Sequence, residues 1–273
     1  MRTFVSAVLG LVAVVLAAGA FCGAWLNTNV VSEDGFAALG EPLGEDASFQ
    51  QELAVGLAEE ATAAVNLPGQ LAGFVQPAIT SAVEGVQALP DYPQAWNESL
   101  HRSHALTFQD AGGSGEVMLD VGPLVGLVTG TVGSDLGADI PAPEQVTVQV
   151  GGTGHPELIR NLQRAGEAWP VLGLAAAAAG IMALLVARRR STTFALMGLG
   201  VLAAGAGLWL AAGMVPDRVA EQASGSSIGP AFARAFASEA AANLQSWTLG
   251  LMVGGAAVLV VGLLARVLRG SRR

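Results

Sequence analysis

Residues 169–190 read WPVLGLAAAAAGIMALLVARRR, an apolar stretch closed by three consecutive arginines. A run of about 20 apolar residues matches the ~30 Å hydrocarbon core of a bilayer. Arginines clustered beside a span mark its cytoplasmic end. The segment therefore predicts a transmembrane helix over 169–187 whose C-terminal end faces the cytoplasm.

The same pattern divides the whole chain of 273 residues. Four spans alternate with four connecting or terminal segments, and all 22 Asp and Glu fall in the two segments on one side of the spans. The arginines beside the spans lie on the other side, so both termini are predicted to be cytoplasmic in a multi-pass protein of the bacterial plasma membrane. The predicted order is span 1–26, extracytoplasmic domain 27–168, span 169–187, cytoplasmic loop 188–193, span 194–215, short extracytoplasmic segment 216–246, span 247–265 and basic cytoplasmic tail 266–273.

The first span has an alternative interpretation. Residues 1–20 also fit a secretory signal peptide, with Arg2 before an apolar stretch and Ala18-Gly19-Ala20 as a small-residue cleavage site. The apolar run is longer than a signal peptide requires, because it continues to Leu26. An uncleaved membrane anchor is the favoured interpretation.

Charge excludes several function classes. Apart from Arg2 at the start of the first span, none of the four spans contains Asp, Glu, Lys, Arg or His, which argues against a self-sufficient transporter, pump or channel. The acidic segments should repel nucleic acid. With a single cysteine, Cys22, the chain cannot form an internal disulfide. The expected partners are therefore the lipid bilayer and another membrane or cell-envelope protein.

The spans contain small residues at four-residue spacing, a pattern that lets helix backbones approach closely. We expect these pairs to pack within one four-helix bundle, and a docking face for another membrane protein is the alternative. The pairs are Gly19/Gly23, Ala176/Gly180, Gly200/Ala204, Ala203/Gly207 and Gly250/Gly254.

The large extracytoplasmic segment is predicted to be mostly helical. Ser48 with Gln51 resembles a capping box at the start of a first helix. Apolar residues at helical spacing predict further helices over 71–86, from Pro93, and from Pro123 to about Asp135. Two stretches instead alternate with period two and predict strands, centred on Leu119 and Val148. The fold class is thus mainly α: a four-helix transmembrane bundle with an extracytoplasmic, mostly helical α+β domain carrying a small two-stranded element.

One cluster has the residue types of a metal site. Glu98, His101 and His104 follow one another at three-residue spacing on a predicted helix, and Asp110 could supply a fourth ligand. The competing interpretation is structural. Trp96, Leu100, His104 and Phe108 form a continuous four-residue stripe, which turns His104 towards a core. We favour the structural interpretation, and predict no metal, no cofactor and no catalytic residue.

Several features together resemble a family of uncharacterised actinobacterial integral membrane proteins with four spans and a large extracytoplasmic loop between spans 1 and 2. The shared features are a first span ending in Trp25, a helical stretch from Leu43 to Leu57, Trp96 with His104 eight residues later, the Asp120 and Gly122-Pro123-Leu124 motif, and three closing spans. Members often have Asn-Arg before the histidine, where this chain has Leu100-His101. The resemblance implies the topology and no activity.

These observations predict a non-enzymatic membrane protein that acts as an envelope scaffold or binds a partner or ligand through its extracytoplasmic domain. The first alternative is a metal-dependent or serine hydrolase of the envelope that uses the region of Glu98, His101 and His104. The second alternative is an accessory subunit of a transporter or channel.

Overall fold

A computed structural model describes residues 1–64, 85, 87–108, 116–136, 145–152, 156–222 and 229–270. The chain is mainly helical with one two-stranded sheet, as predicted. Four helices are long and apolar enough to cross a membrane, and we describe the chain as a multi-pass membrane protein. The helices and strands, in chain order, are α1 (Arg2–Leu26), α2 (Glu33–Gly40), α3 (Ala47–Ala64), α4 (Tyr92–Phe108), β1 (Glu116–Asp120), α5 (Gly122–Leu136), β2 (Thr147–Gly152), α6 (Pro156–Glu167), α7 (Trp169–Val186), α8 (Arg190–Ala212), α9 (Val215–Gln222) and α10 (Gly229–Gly270).

The chain forms two compact units. The first, which we call the membrane unit, comprises Met1–Val31, Asn161–Met214 and Ala241–Arg273. The second, which we call the Trp96 domain, comprises Ser32–Arg160 and Val215–Ala240.

The membrane unit buries small residues. The buried positions of α1, α7 and α8 are all Gly, Ala or Ser, which leaves their large apolar side chains on the outside. Two tryptophans of the membrane unit, Trp25 and Trp209, are hydrogen-bonded to the same stretch of α10. The Trp25 indole Nε1 donates to Asn243 Oδ1 at 2.9 Å, and Gln245 Nε2 donates to the Trp209 carbonyl at 3.3 Å.

The small-residue prediction is correct in part. A Cβ added at Gly23 would lie 2.7 Å from the Ala165 carbonyl, so this glycine is at a close backbone contact, as predicted. Gly207, Gly250 and Gly254 were predicted to pack, yet an added Cβ would meet nothing within 4 Å among the described residues. The close contacts between α8 and α10 are instead made by glycines seven residues apart, namely Gly198 and Gly205 on α8 and Gly255 and Gly262 on α10.

Helix boundaries differ from prediction where local hydrogen bonds decide them. The capping box at Ser48 is wrong, because Asp46 Oδ1 accepts from the backbone N–H groups of Ser48 and Phe49, both at 2.8 Å, and α3 begins at Ala47. The helix α8 begins at Arg190, within the segment 188–193 predicted to connect two spans. The helix predicted over 71–86 lies outside the described residues, apart from position 85.

The Trp96 domain has a core of large side chains. Phe36, Phe49, Trp96, Leu100 and Leu119 are all buried in one cluster, to which α10 adds Phe232. The sheet pairs β1 with β2 in antiparallel register, with Asp120 opposite Thr147.

Candidate functional site

The stripe predicted on α4 faces the core of the Trp96 domain. Trp96 is 2% exposed, Leu100 is fully buried, and His104 is 4% exposed. The Trp96 indole Nε1 donates a 2.9 Å hydrogen bond to the Gly40 carbonyl, which satisfies its one polar atom inside the core. These three side chains are therefore buried in the core, as the structural interpretation of the stripe expects.

His104 lies between aromatic rings. Its ring centroid is 5.4 Å from that of Phe36 and 4.6 Å from that of Phe108, with which it stacks. The imidazole is therefore packed between two aromatic side chains of the Trp96 domain.

The other two candidate metal ligands on α4, Glu98 and His101, lie at the surface. His101 Nδ1 lies 2.9 Å from Glu33 Oε1 at the surface. The Arg102 Nε donates to Glu98 Oε1 at 2.8 Å, an i,i+4 pair that raises the pKa of Arg102. Glu98 and His101 thus each have a surface partner, whereas His104 is in the core.

The proposed metal set is not assembled among the residues that the structure describes. No group of three or more His, Cys, Asp or Glu side chains in that part of the chain has the arrangement needed to hold a metal ion. Asp110, the fourth candidate, lies outside the described residues.

A second polar group on α4 has an architectural role that the sequence analysis missed. The Ser103 hydroxyl donates to the Ser99 carbonyl and accepts from the Asp120 backbone N–H at 2.8 Å. Asp120 Oδ1 in turn accepts from the N–H groups of Gly122, at 2.9 Å, and Val146, at 3.2 Å. These bonds fasten β1 to α4 and cap α5. An aspartate just ahead of Gly-Pro at a predicted helix start is a capping signal that could have identified Asp120.

An open cleft lies on the surface of the Trp96 domain, between the start of α3 and the first turns of α10. It encloses about 220 Å³ and has Leu43 and Phe49 in its lining. Three carboxylates, of Asp46, Glu52 and Glu239, and one guanidinium, of Arg234, complete the charged part of the lining. We call this feature the acidic cleft. Sequence reasoning missed it because its two walls are far apart in the chain.

The chain was also compared with known proteins. No family model, curated protein or solved structure matches it. The resemblance to actinobacterial four-span proteins thus stays a prediction, and the site has to be interpreted from its own geometry.

Proposed function

We propose that this chain is a non-enzymatic protein of the cell envelope whose Trp96 domain is extracytoplasmic and binds a partner protein through the acidic cleft. One observation carries the proposal. The polar side chains of Ser103 and Asp120 are used in hydrogen bonds that hold the fold, whereas the carboxylates of Glu52 and Glu239 line an open cleft. The extracytoplasmic placement is supported by the arginines beside the spans and the acidic residues of the opposite segments.

The lining of the acidic cleft indicates the kind of partner. The half-buried Ala231 and Ala235 offer apolar surface, and Glu52 and Glu239 add carboxylates to the same lining. A lysine or arginine side chain has matching chemistry, since its aliphatic stem packs on apolar surface while its charged head pairs with carboxylate. The expected ligand is therefore a basic segment of another envelope protein.

Site-specific crosslinking in cells tests this proposal. A photo-crosslinking residue at Ser238, an exposed residue of the cleft, should capture a discrete partner. The same residue at Ala38, exposed on α2 and outside the cleft, is the matched control and should capture none. Replacing Glu52 and Glu239 with glutamine should abolish the Ser238 adduct. Equal adducts at both positions, or an adduct indifferent to the two substitutions, would contradict the proposal.

The partner's identity also separates this proposal from an accessory-subunit role. If the captured protein is a transporter or channel, the chain is its accessory subunit. A soluble or single-span envelope protein supports the scaffold role.

The hydrolase alternative has less geometric support, because His101 and Glu98 are paired at the surface while His104 is buried. Metal analysis of the purified full chain discriminates between the two. Stoichiometric zinc that is lost on His101→Ala substitution would favour the enzyme over the binding protein.

A further inference from the structure

The membrane unit contains a second cavity, which we call the basic pocket. It lies between the first half of α1, the end of α7 and the first half of α8, and encloses about 590 Å³. This volume lies within the range of small-molecule and cofactor sites. Arg188 and Arg189, from the junction of α7 and α8, lie at one end of the basic pocket. Its lining is mostly apolar along the helices and includes Ala7, Leu11, Val14, Leu196 and Met197.

The arginines of the basic pocket are available for a ligand. Both are exposed. Among the residues that the structure describes, no carboxylate lies within ion-pair distance, 4.0 Å, of Arg188 or Arg189.

Hydroxyl groups fix the helices around the same end. Buried Ser6 donates to the Ala183 carbonyl at 2.9 Å, and its Oγ lies 3.4 Å from Thr193 Oγ1. These contacts tie α1 to α7 and α8 beside the arginines. Thr3 and Thr192 add two more hydroxyls to the lining, and these can donate to an anion.

We propose that the basic pocket binds the phosphate of an anionic phospholipid headgroup, with an acyl chain along the apolar wall. An arginine at the end of a span lies at the depth of lipid phosphates, and its planar guanidinium can donate two parallel hydrogen bonds to a phosphate. The apolar wall favours a phospholipid over free phosphate, because free phosphate has no apolar part that could pack against it. Cations at one end and an apolar surface beside them match the two parts of a phospholipid.

Native mass spectrometry of the full chain in mild detergent tests the proposal. The protein is titrated with phosphatidylglycerol, with phosphatidylcholine of the same acyl chains, and with inorganic phosphate. We expect phosphatidylglycerol adducts at concentrations where phosphatidylcholine gives few, and no displacement of them by millimolar phosphate.

Paired variants locate the site. Arg188→Gln combined with Arg189→Gln should weaken phosphatidylglycerol binding about 30-fold, from about 1 kcal/mol for each arginine. Arg190→Gln is the matched control for charge, since Arg190 is exposed and adjacent but outside the lining, and should change binding less than about threefold. Ala7→Phe should weaken binding by filling the apolar wall, whereas Val8→Phe, at an exposed neighbour outside the lining, should not.

Three results would overturn the proposal. The first is equal affinity for phosphatidylglycerol and phosphatidylcholine. The second is a loss of phosphatidylglycerol affinity in Arg190→Gln as large as that in the Arg188 and Arg189 double variant. The third is full displacement of the lipid by inorganic phosphate, which would identify a free-anion site. Thermal unfolding without added lipid shows whether each variant folds. Should the double variant not fold, the Ala7→Phe and Val8→Phe pair decides, because retained discrimination in Ala7→Phe also contradicts the proposal.

Discussion

The membrane unit and the Trp96 domain fill their interiors in opposite ways. Buried positions on α1, α7 and α8 of the membrane unit are Gly, Ala and Ser, and its large apolar residues, such as Leu174 and Val253, are more than two-thirds exposed at 74% and 70%. In the Trp96 domain the largest side chains, including Trp96 and Leu100, are the most buried.

The difference follows from the solvent that each unit requires. Lipid tails are as apolar as leucine, so helices in a bilayer gain little from hiding large apolar side chains and associate through close backbone contacts between small residues. In water the burial of large apolar side chains drives folding. Removing a large side chain should therefore lower the stability of the Trp96 domain most. In the membrane unit, adding even a methyl group at a close helix contact should lower stability.

The largest effect is expected from Trp96→Ala. The substitution leaves a cavity in the core and removes the hydrogen bond to the Gly40 carbonyl, at a cost of about 3–5 kcal/mol. Amide hydrogen exchange of α4 in the full chain measures it. Trp209→Ala is the control, because Trp209 is 41% exposed in the membrane unit, and it should change local stability by less than about 1 kcal/mol. Similar losses from both would remove the distinction between the units.

The next effect is Gly198→Ala in the membrane unit. A Cβ there would lie 2.5 Å from the Leu259 backbone nitrogen and 2.8 Å from the Gly255 carbonyl, so α8 and α10 must move apart at a cost of about 1–3 kcal/mol. Thermal unfolding in mild detergent measures the change. Gly254→Ala is the matched control, since nothing in the described residues lies within 4 Å of its added Cβ. It should leave the midpoint unchanged or raise it, and a drop equal to that of Gly198→Ala would refute close packing as the cause.

A third prediction uses Tyr92, the single tyrosine of the chain. Burial raises the pKa of Tyr92 from 10.0 to about 12, and the nearby Gln50 side chain acts in the opposite direction. Because the folded pKa lies above the unfolded one, the folded state holds its proton longer, and stability should fall as the pH rises from about 10 towards 12. Ultraviolet titration of the phenolate should have its midpoint near 12 in the folded chain and near 10 in denaturant. A midpoint near 10 in the folded chain would show that Tyr92 is solvated.

The smallest effect is expected at the surface of the Trp96 domain. Glu98→Gln breaks the exposed i,i+4 pair with Arg102 and should cost less than about 0.5 kcal/mol. Chemical unfolding at low and high salt measures it, and the difference from wild type should vanish at high salt. A loss as large as that of a core substitution would mean that Glu98 has a further role.

Sequence reasoning was strongest where one periodic signal dominated. Apolar length predicted the four membrane-length helices, and period-two alternation predicted both strands. The stripe through Trp96 and His104 correctly placed these residues in the core, because spacing along one helix fixes which residues share a face.

It was weakest where distant segments meet. Four-residue spacing indicated Gly250 and Gly254, but which face of α10 meets α8 is decided by packing, and that face carries Gly255 and Gly262. The acidic cleft and the basic pocket each combine residues from separate parts of the chain, and no local pattern encodes such a meeting.

The proposed topology has the Trp96 domain outside the cell and the junction of α7 and α8 inside. Cysteine labelling in intact cells with a membrane-impermeant maleimide tests it directly, in a Cys22→Ser background with one new cysteine at either Glu45 or Arg190, both exposed. We expect Glu45→Cys to be labelled in intact cells and Arg190→Cys to be labelled only after permeabilisation. Labelling of Arg190→Cys in intact cells, with Glu45→Cys protected, would show the inverted topology and contradict the proposed placement.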